Sequence, residues 1–447
     1  MMPHRWPYRR NLPTRASGRR CEGRAMSSAP ATRTGWKPLG VLATAQFLVV
    51  LSTSIVNVAL PEIRNGLGLS AAGLAWVINA YVLVFGALLL LGGRSGDVYG
   101  LRRVFLIGTG LFALSSLGAA IAPDAVTLIV ARASQGVGAA LLAPTALALV
   151  LTRYQGAARG TALGVWGAVS GAGGAAGVLL GGLLTGLYGW RSIFFVMAPV
   201  ALAVLAATWL LVDASPPRGG RLDLPGSVTV TGGLVALAYG LSGNWPFIAA
   251  GLLLLCVFVL LQRRSPDPLL PSRMRIVARA NVLMALLGAV WLGLFYYLPL
   301  YQQRELGFTP LEAGLTQLPL ALMITMASWA TPRLRGRAVL PAGLALLAAG
   351  LAWLARTPAD GTFLVDLLGP SLLVGAGLGV AFVKLTALAS AGVPATDSGL
   401  AGGLLNATRQ IGGAVGLAFL TLLPSYGAAF LACALITLLL LGKATLS

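Results

Sequence analysis

The sequence is poor in the groups that carry covalent and metal chemistry. Its single histidine, His4, lies in an N-terminal tail, so no histidine-based triad or histidine zinc site can form elsewhere in the chain. Three cysteines, Cys21, Cys256 and Cys433, make no metal-like cluster, and two of them sit in apolar runs, which leaves a disulfide framework without support. Only 12 residues are acidic, and no two of them pair at bilayer depth. No G-x-x-x-x-G-K-[ST] loop occurs, which argues against ATP as an energy source. Charged residues of both signs make up 10% of the chain, against about 25% in a soluble protein. These shortages exclude a soluble enzyme, a disordered chain and a disulfide scaffold. No enzymatic activity, metal or cofactor is expected.

What is abundant is apolar sequence. Hydrophobic residues account for 57% of the 447 residues, and the mean hydropathy is +0.84. The apolar residues fall in blocks of roughly twenty, the length that crosses a bilayer as helix. The expected fold is an all-α polytopic membrane protein whose partner is the lipid bilayer. Fourteen spans are expected in a six, two and six arrangement. The first six cover 39–61, 74–93, 104–122, 125–152, 160–186 and 192–212, and a middle pair covers 225–243 and 245–262. The last six cover 281–303, 312–331, 339–355, 364–391, 398–422 and 425–442. The domain boundaries follow: a disordered basic tail over 1–38, an N-terminal half over 39–212, a linker with two extra helices over 213–280, a C-terminal half over 281–442 and a short tail over 443–447.

The net charge of +20 would suit a nucleic-acid binder, but its distribution does not. Of 32 basic residues, 25 fall on one side of the expected spans and four (Arg64, Arg191, Arg304, Arg356) on the other. That asymmetry is the positive-inside rule. It puts both termini in the cytoplasm of a bacterial-type plasma membrane and removes the reason to expect nucleic acid. Residues 1–38 lack the apolar core of a signal peptide, and translation from either Met1 or Met26 fits the tail.

The two sets of six look like parallel repeats. The joint Gly92–Phe105 (GGRSGDVYGLRRVF) has a short, basic, glycine-punctuated counterpart at Thr331–Gly343, and two glycine-rich helices correspond at Gly167–Gly182 and Gly399–Gly416. Internal repeats of this kind favour alternating access around a midplane site over a pore. In the first joint, Gly93, Gly96 and Gly100 let two helix ends approach, while Asp97, Arg102 and Arg103 are candidates for a cytoplasmic latch. The run Gly171-x-Gly173-x-x-Ala176 matches a dinucleotide fingerprint only on paper, since it lies inside an apolar helix where small residues serve packing. Gly177, Gly181 and Gly182 are read as packing positions in the same helix.

The spacing G-x-x-G-D-x-x-G-x-R-R resembles the signature of the major facilitator superfamily. LIVARASQGVGAALLAPTALAL (Leu128–Leu149), with Arg132, Gln135, Gly136 and Gly138, resembles that family's fourth-helix signature. SIVNVALPEI (Ser54–Ile63), GWRSIFF (Gly189–Phe195), Tyr296–Leu315 and Gly399–Ala418 also match. With fourteen spans, the resemblance is to the drug:proton antiporter branch of the EmrB/QacA type, and it implies the major facilitator fold, a small-molecule substrate, protons as coupling ion and a monomer. It further implies that the first, fourth, seventh and tenth helices of the twelve-helix core line the cavity. That brings in Ser52, Asn57, Arg132, Gln135, Tyr296, Tyr297, Gln302 and Lys384 as cavity candidates.

Two departures qualify the resemblance. The branch commonly has leucine–aspartate–threonine in the first helix, where this chain has Leu51–Ser52–Thr53. Its fifth helix places Gly-Pro ahead of Gly-Gly, where this chain has Gly177–Val178. The spans therefore hold three basic residues, Arg132, Lys384 and Arg409, without a membrane acid to offset them. Intramembrane charge is costly and functional by default, although Arg132 can pair with carbonyls, Gln135 or Asn57, Lys384 can snorkel, and Arg409 is read as a packing residue. The expected function is export of drugs or small organic metabolites. Uptake or exchange of an anionic metabolite is the alternative that the basic residues suit, and a non-transporting sensor or scaffold is a remote third reading.

Overall fold

In a computed structural model the described residues are 35–445, save 156, 215, 218, 220, 266–267, 270–275, 359–360, 391–392 and 394–397. The basic tail before residue 35, Met26, Asp360 and Asp397 thus lie outside the described residues. Among the described residues the regular structure is all helical, as lipid demands of a spanning chain whose backbone polar groups must be satisfied within each segment.

The first six helices are α1 (Lys37–Leu67), α2 (Ala71–Tyr99), α3 (Leu101–Ala120), α4 (Ala125–Arg153), α5 (Ala157–Tyr188) and α6 (Arg191–Leu211). The middle pair is α7 (Leu224–Leu241) and α8 (Pro246–Arg264). Next come α9 (Ala278–Arg304), α10 (Pro310–Thr316) and α11 (Leu318–Ala330). After them stand α12 (Val339–Leu354), a π-helical turn (Phe363–Leu368) running into α13 (Gly369–Ser390), α14 (Ser398–Leu420) and α15 (Tyr426–Thr445). Each of the fourteen expected spans meets one helical segment, α10 and α11 together making the tenth. Twelve segments are long and apolar enough to cross a membrane; α12 is shorter at 16 residues, and α14 is not among the twelve.

Local signals set the helix ends. Asp124 caps α4 by accepting from the Thr127 N–H at 2.8 Å, and that bond holds its carboxyl below the usual range. Thr309 and Glu312 form a reciprocal capping box at the start of α10. The joint between α2 and α3 differs from the expected ten-residue loop. Helix α2 runs on to Tyr99, and only Gly100, at φ 96°, separates it from α3. The glycines at 92 and 96 do not break the helix because they serve packing: an added Cβ on Gly96 would lie 2.8 Å from Thr145 Cγ2 on α4.

Helices α1 to α6 pack as one group, with α4 against α2 and α3, α1 along α5 and α3 along α6. Helices α9 to α15 form a second, with α9 against α14 and α15, and α13 against α11 and α12. Helix α7 packs on α8 and also touches α2 and α14, while α8 turns Leu252, Leu253 and Leu260 outward. The two groups meet through α2 and α14, α1 and α9, and α5 with α10 and α11.

Candidate functional site

Arg132 is the most deeply placed charge in the first group, 1% exposed. Its Nε donates to the Val77 carbonyl (3.1 Å), and its Nη1 donates to Ser52 Oγ (3.0 Å) and Gln135 Oε1 (2.5 Å). Gln135 passes the chain on, donating from Nε2 to Ser116 Oγ at 2.7 Å. The guanidinium stacks over Tyr81, 4.4 Å from the ring centroid, with Phe194 at 6.0 Å. Five helices, α1, α2, α3, α4 and α6, thus supply its surroundings. Asn57 is not among its partners: Asn57 Nδ2 donates to the Thr53 carbonyl at 3.2 Å, and its Oδ1 meets no partner among the described residues. The protein thus supplies acceptors for three of the five N–H groups of Arg132.

The other cavity candidates are dispersed. Tyr296, Tyr297 and Gln302 are buried near the end of α9. Tyr297 donates to the Leu420 carbonyl (2.8 Å), and Gln302 bonds Thr316 (3.1 Å) and Gln317 (3.0 Å). The residue that crosses between the two helix groups is the next one along: Gln303 Nε2 donates to the Val58 carbonyl of α1 at 2.8 Å. Tyr296 also reaches across, its hydroxyl 3.5 Å from the Ala71 carbonyl. Lys384 is not in the centre; its Nζ donates to the Leu334 carbonyl at 3.0 Å, beyond the end of α11.

Helix α5 meets the other group toward its Tyr188 end and stands clear of it toward its Ala157 end. It is continuous over 32 residues, without the kink a proline would impose. Added Cβ atoms at Gly177 and Gly181 would come within 2.5 Å of Ser54 Cβ and 2.6 Å of the Ile55 carbonyl, so both glycines seat α5 on α1. At Gly182 the nearest atom, at 2.5 Å, is the Pro310 carbonyl of α10, in the other group. Toward the Ala157 end, Gly164, Gly167 and Gly174 have nothing within 4 Å of the same position.

The latch residues divide likewise. Arg102 is drawn to α6, its Nη2 donating to the Trp209 carbonyl at 2.6 Å with the guanidinium 5.2 Å from that ring. Arg103 is exposed. Asp97 and Gly96 line a cavity of about 240 Å³ with Leu101, Thr152, Pro216 and Pro217. An ion pair at this end joins Arg153 to Asp213 at 2.5 Å.

Arg409, read as a packing residue, faces α9 and α13. It lies mid-way along α14, half-buried, with Nη2 donating to Asn406 Oδ1 at 3.0 Å. Trp291 of α9 and Phe382 of α13 both lie 5.8 Å from its guanidinium carbon. The sequence reading missed Tyr81, Ser116, Gln303, Trp291 and Phe382. Nothing local marks them, because each acquires its role from a helix distant in the chain.

Two bundles of spanning helices, joined face to face and sealed at one end, define a transporter of the alternating-access class. The chain belongs to the Major Facilitator Superfamily, whose pattern it matches over residues 42–417. It is similar to the puromycin resistance protein pur8 of Streptomyces alboniger, 42% identical over 89% of this chain and 83% of that protein. It is also similar to the cephamycin export protein CmcT of Amycolatopsis lactamdurans, 38% identical over 89% of this chain and 86% of that one. In fold it resembles a peptide transporter POT solved in complex with sulfate (TM-score 0.68, 18% identity, covering 92% of this chain and 94% of that one). The human organic anion transporter MFSD10 is similar too (TM-score 0.65, 16% identity, covering 91% and 99%).

Proposed function

We propose that the protein exports a small organic compound, of the antibiotic class that its named relatives resist or export, by rocking its two helix groups about a central site. The groups correspond to residues 39–212 and 281–442, with 213–280 as a linker. The observation that carries the reading is the seal: Gly182 on the Pro310 carbonyl and Gln303 on the Val58 carbonyl close one end, while the glycines at the Ala157 end of α5 stand clear. With both termini cytoplasmic, as the basic asymmetry requires, the structure is the inward-facing state.

Protons supply the drive in this reading. Ser52 stands where the antiporter branch that the sequence resembles commonly has an aspartate, so coupling passes through a peripheral carboxylate such as Glu62 or Asp366. Asp366 is already engaged, accepting from the Thr362 N–H at 2.7 Å. The second reading, exchange of an anionic metabolite, is favoured by Arg409. Among the described residues no carboxylate pairs with it.

The test uses inverted membrane vesicles with puromycin and a set of cationic and anionic dyes, each with and without an imposed pH gradient. Export predicts accumulation that collapses when the gradient is dissipated. Flux of anions alone, indifferent to the gradient, would replace export with exchange. Gly182→Val adds bulk against the Pro310 carbonyl; it should open the sealed end and raise cysteine labelling there from outside several-fold.

A further inference from the structure

The accessible surface of α14 falls into two stripes. One, Leu404, Thr408, Ile411, Val415 and Phe419, is largely apolar and suits lipid or α7. The other is Gly402, Asn406 and Arg409, and its exposure decreases along the helix: Gly402 is exposed, Asn406 and Arg409 are half-buried, and Gly413 is buried. The polar side chains of this stripe, Asn406 and Arg409, lie between the exposed start of α14 and its buried middle. The second of them is a cation.

We propose that Arg409 is the anchor of an anion subsite reached along this stripe from the start of α14, and that it takes the carboxylate of an aromatic organic acid. The proposal rests on the transport reading and names the substrate class. Three features carry it. Guanidinium has five N–H groups in a planar fork that matches a carboxylate, and the bond to Asn406 uses one of them. No carboxylate pairs with Arg409 among the described residues, in contrast to Arg153, which pairs with Asp213. The rings of Trp291 and Phe382 stand 6.0 Å apart and beside the guanidinium, so an apolar ring entering with the carboxylate would find aromatic faces at the same level. Asn406 is then a positioning residue that holds the fork from one side.

The test reads local charge directly, in the full-length transporter. Cys21, Cys256 and Cys433 are replaced by serine or alanine, and Gly402→Cys adds one reporter where nothing lies within 4 Å of an added Cβ. In inverted vesicles the anionic thiosulfonate MTSES should label this cysteine about fivefold or more faster than cationic MTSET, relative to their rates on a free thiol. Arg409→Gln should bring the ratio to near one. 2-Naphthoate should slow labelling, its neutral analogue 2-naphthamide should not, and Arg409→Gln should erase the difference. Arg409→Lys, the variant that guards against misfolding, should keep the rate ratio and lose the naphthoate effect, because an ammonium lacks the fork. A wild-type ratio near one, a ratio untouched by Arg409→Gln, or naphthoate giving no more protection than naphthamide would overturn the subsite. Dye flux in the same vesicles is scored separately, so failure here is distinct from failure of transport.

Discussion

The two intramembrane arginines, Arg132, a cavity candidate by sequence, and Arg409, read there as a packing residue, have very different surroundings. Arg132 is enclosed by five helices and bonded to Val77, Ser52 and Gln135, with an aromatic face beneath it. Arg409 has one hydrogen bond, two aromatic rings at its side and an approach from one end of the bundle. A buried charge is tolerated only where its hydrogen bonds are met. Arg132 meets that condition within the protein and therefore acts as a fastener of the first helix group. Arg409 leaves the condition to be met by water or by cargo. Charge at bilayer depth is thus not one signal but two, and what separates them is the number of partners already present.

The sharpest way to break the comparison is Arg132→Ala. It removes donors from three acceptors on different helices, at a cost of about 2–4 kcal/mol. Membrane abundance and melting temperature should both fall, as size-exclusion profiles and a thermal melt would show, whereas Arg409→Gln should melt near wild type. Equal losses from the two variants would erase the distinction. Arg132→Lys comes next: an ammonium cannot span the Ser52, Gln135 and Val77 acceptors at once. An intermediate drop in melting temperature is expected, and full retention would show that charge alone suffices. The smallest effect belongs to Ser52→Asp. With Ser52 Oγ already 3.0 Å from Arg132 Nη1, the carboxylate would convert an ordinary bond into a charge-assisted one. The gain is roughly 1 kcal/mol after desolvation of the new acid, read as a small upward shift in melting temperature with no change in labelling at position 402.

Much of the fold was legible because membranes impose a simple rule. Each apolar block of roughly twenty residues became helical, the tenth as α10 and α11 together, and elsewhere edges moved, as at 94–99, where helix replaced the expected loop. The packing glycines of α5 were legible too, since small residues at four-residue spacing mark a close helix contact. The site was less so. Gln302 and Gln303 are neighbours in sequence but point about 100° apart around a helix, and composition does not say which one crosses to α1. Lys384 was read by depth, yet its flexible stem carries the ammonium away to Leu334. The aromatic neighbours of Arg409 come from α9 and α13, and no local pattern announces them.

The joint at Gly100 has a mechanical meaning. A connection of one residue has no slack, so α2 and α3 act as a bent lever with its elbow at φ 96°. One arm, α2, lies along α14 at the seam between the helix groups, and the other, through Arg102, grips the end of α6 at Trp209. The seam with the second group and the outer flank of the first are therefore joined through one glycine, so any change in the angle between α2 and α3 must be taken up at Gly100.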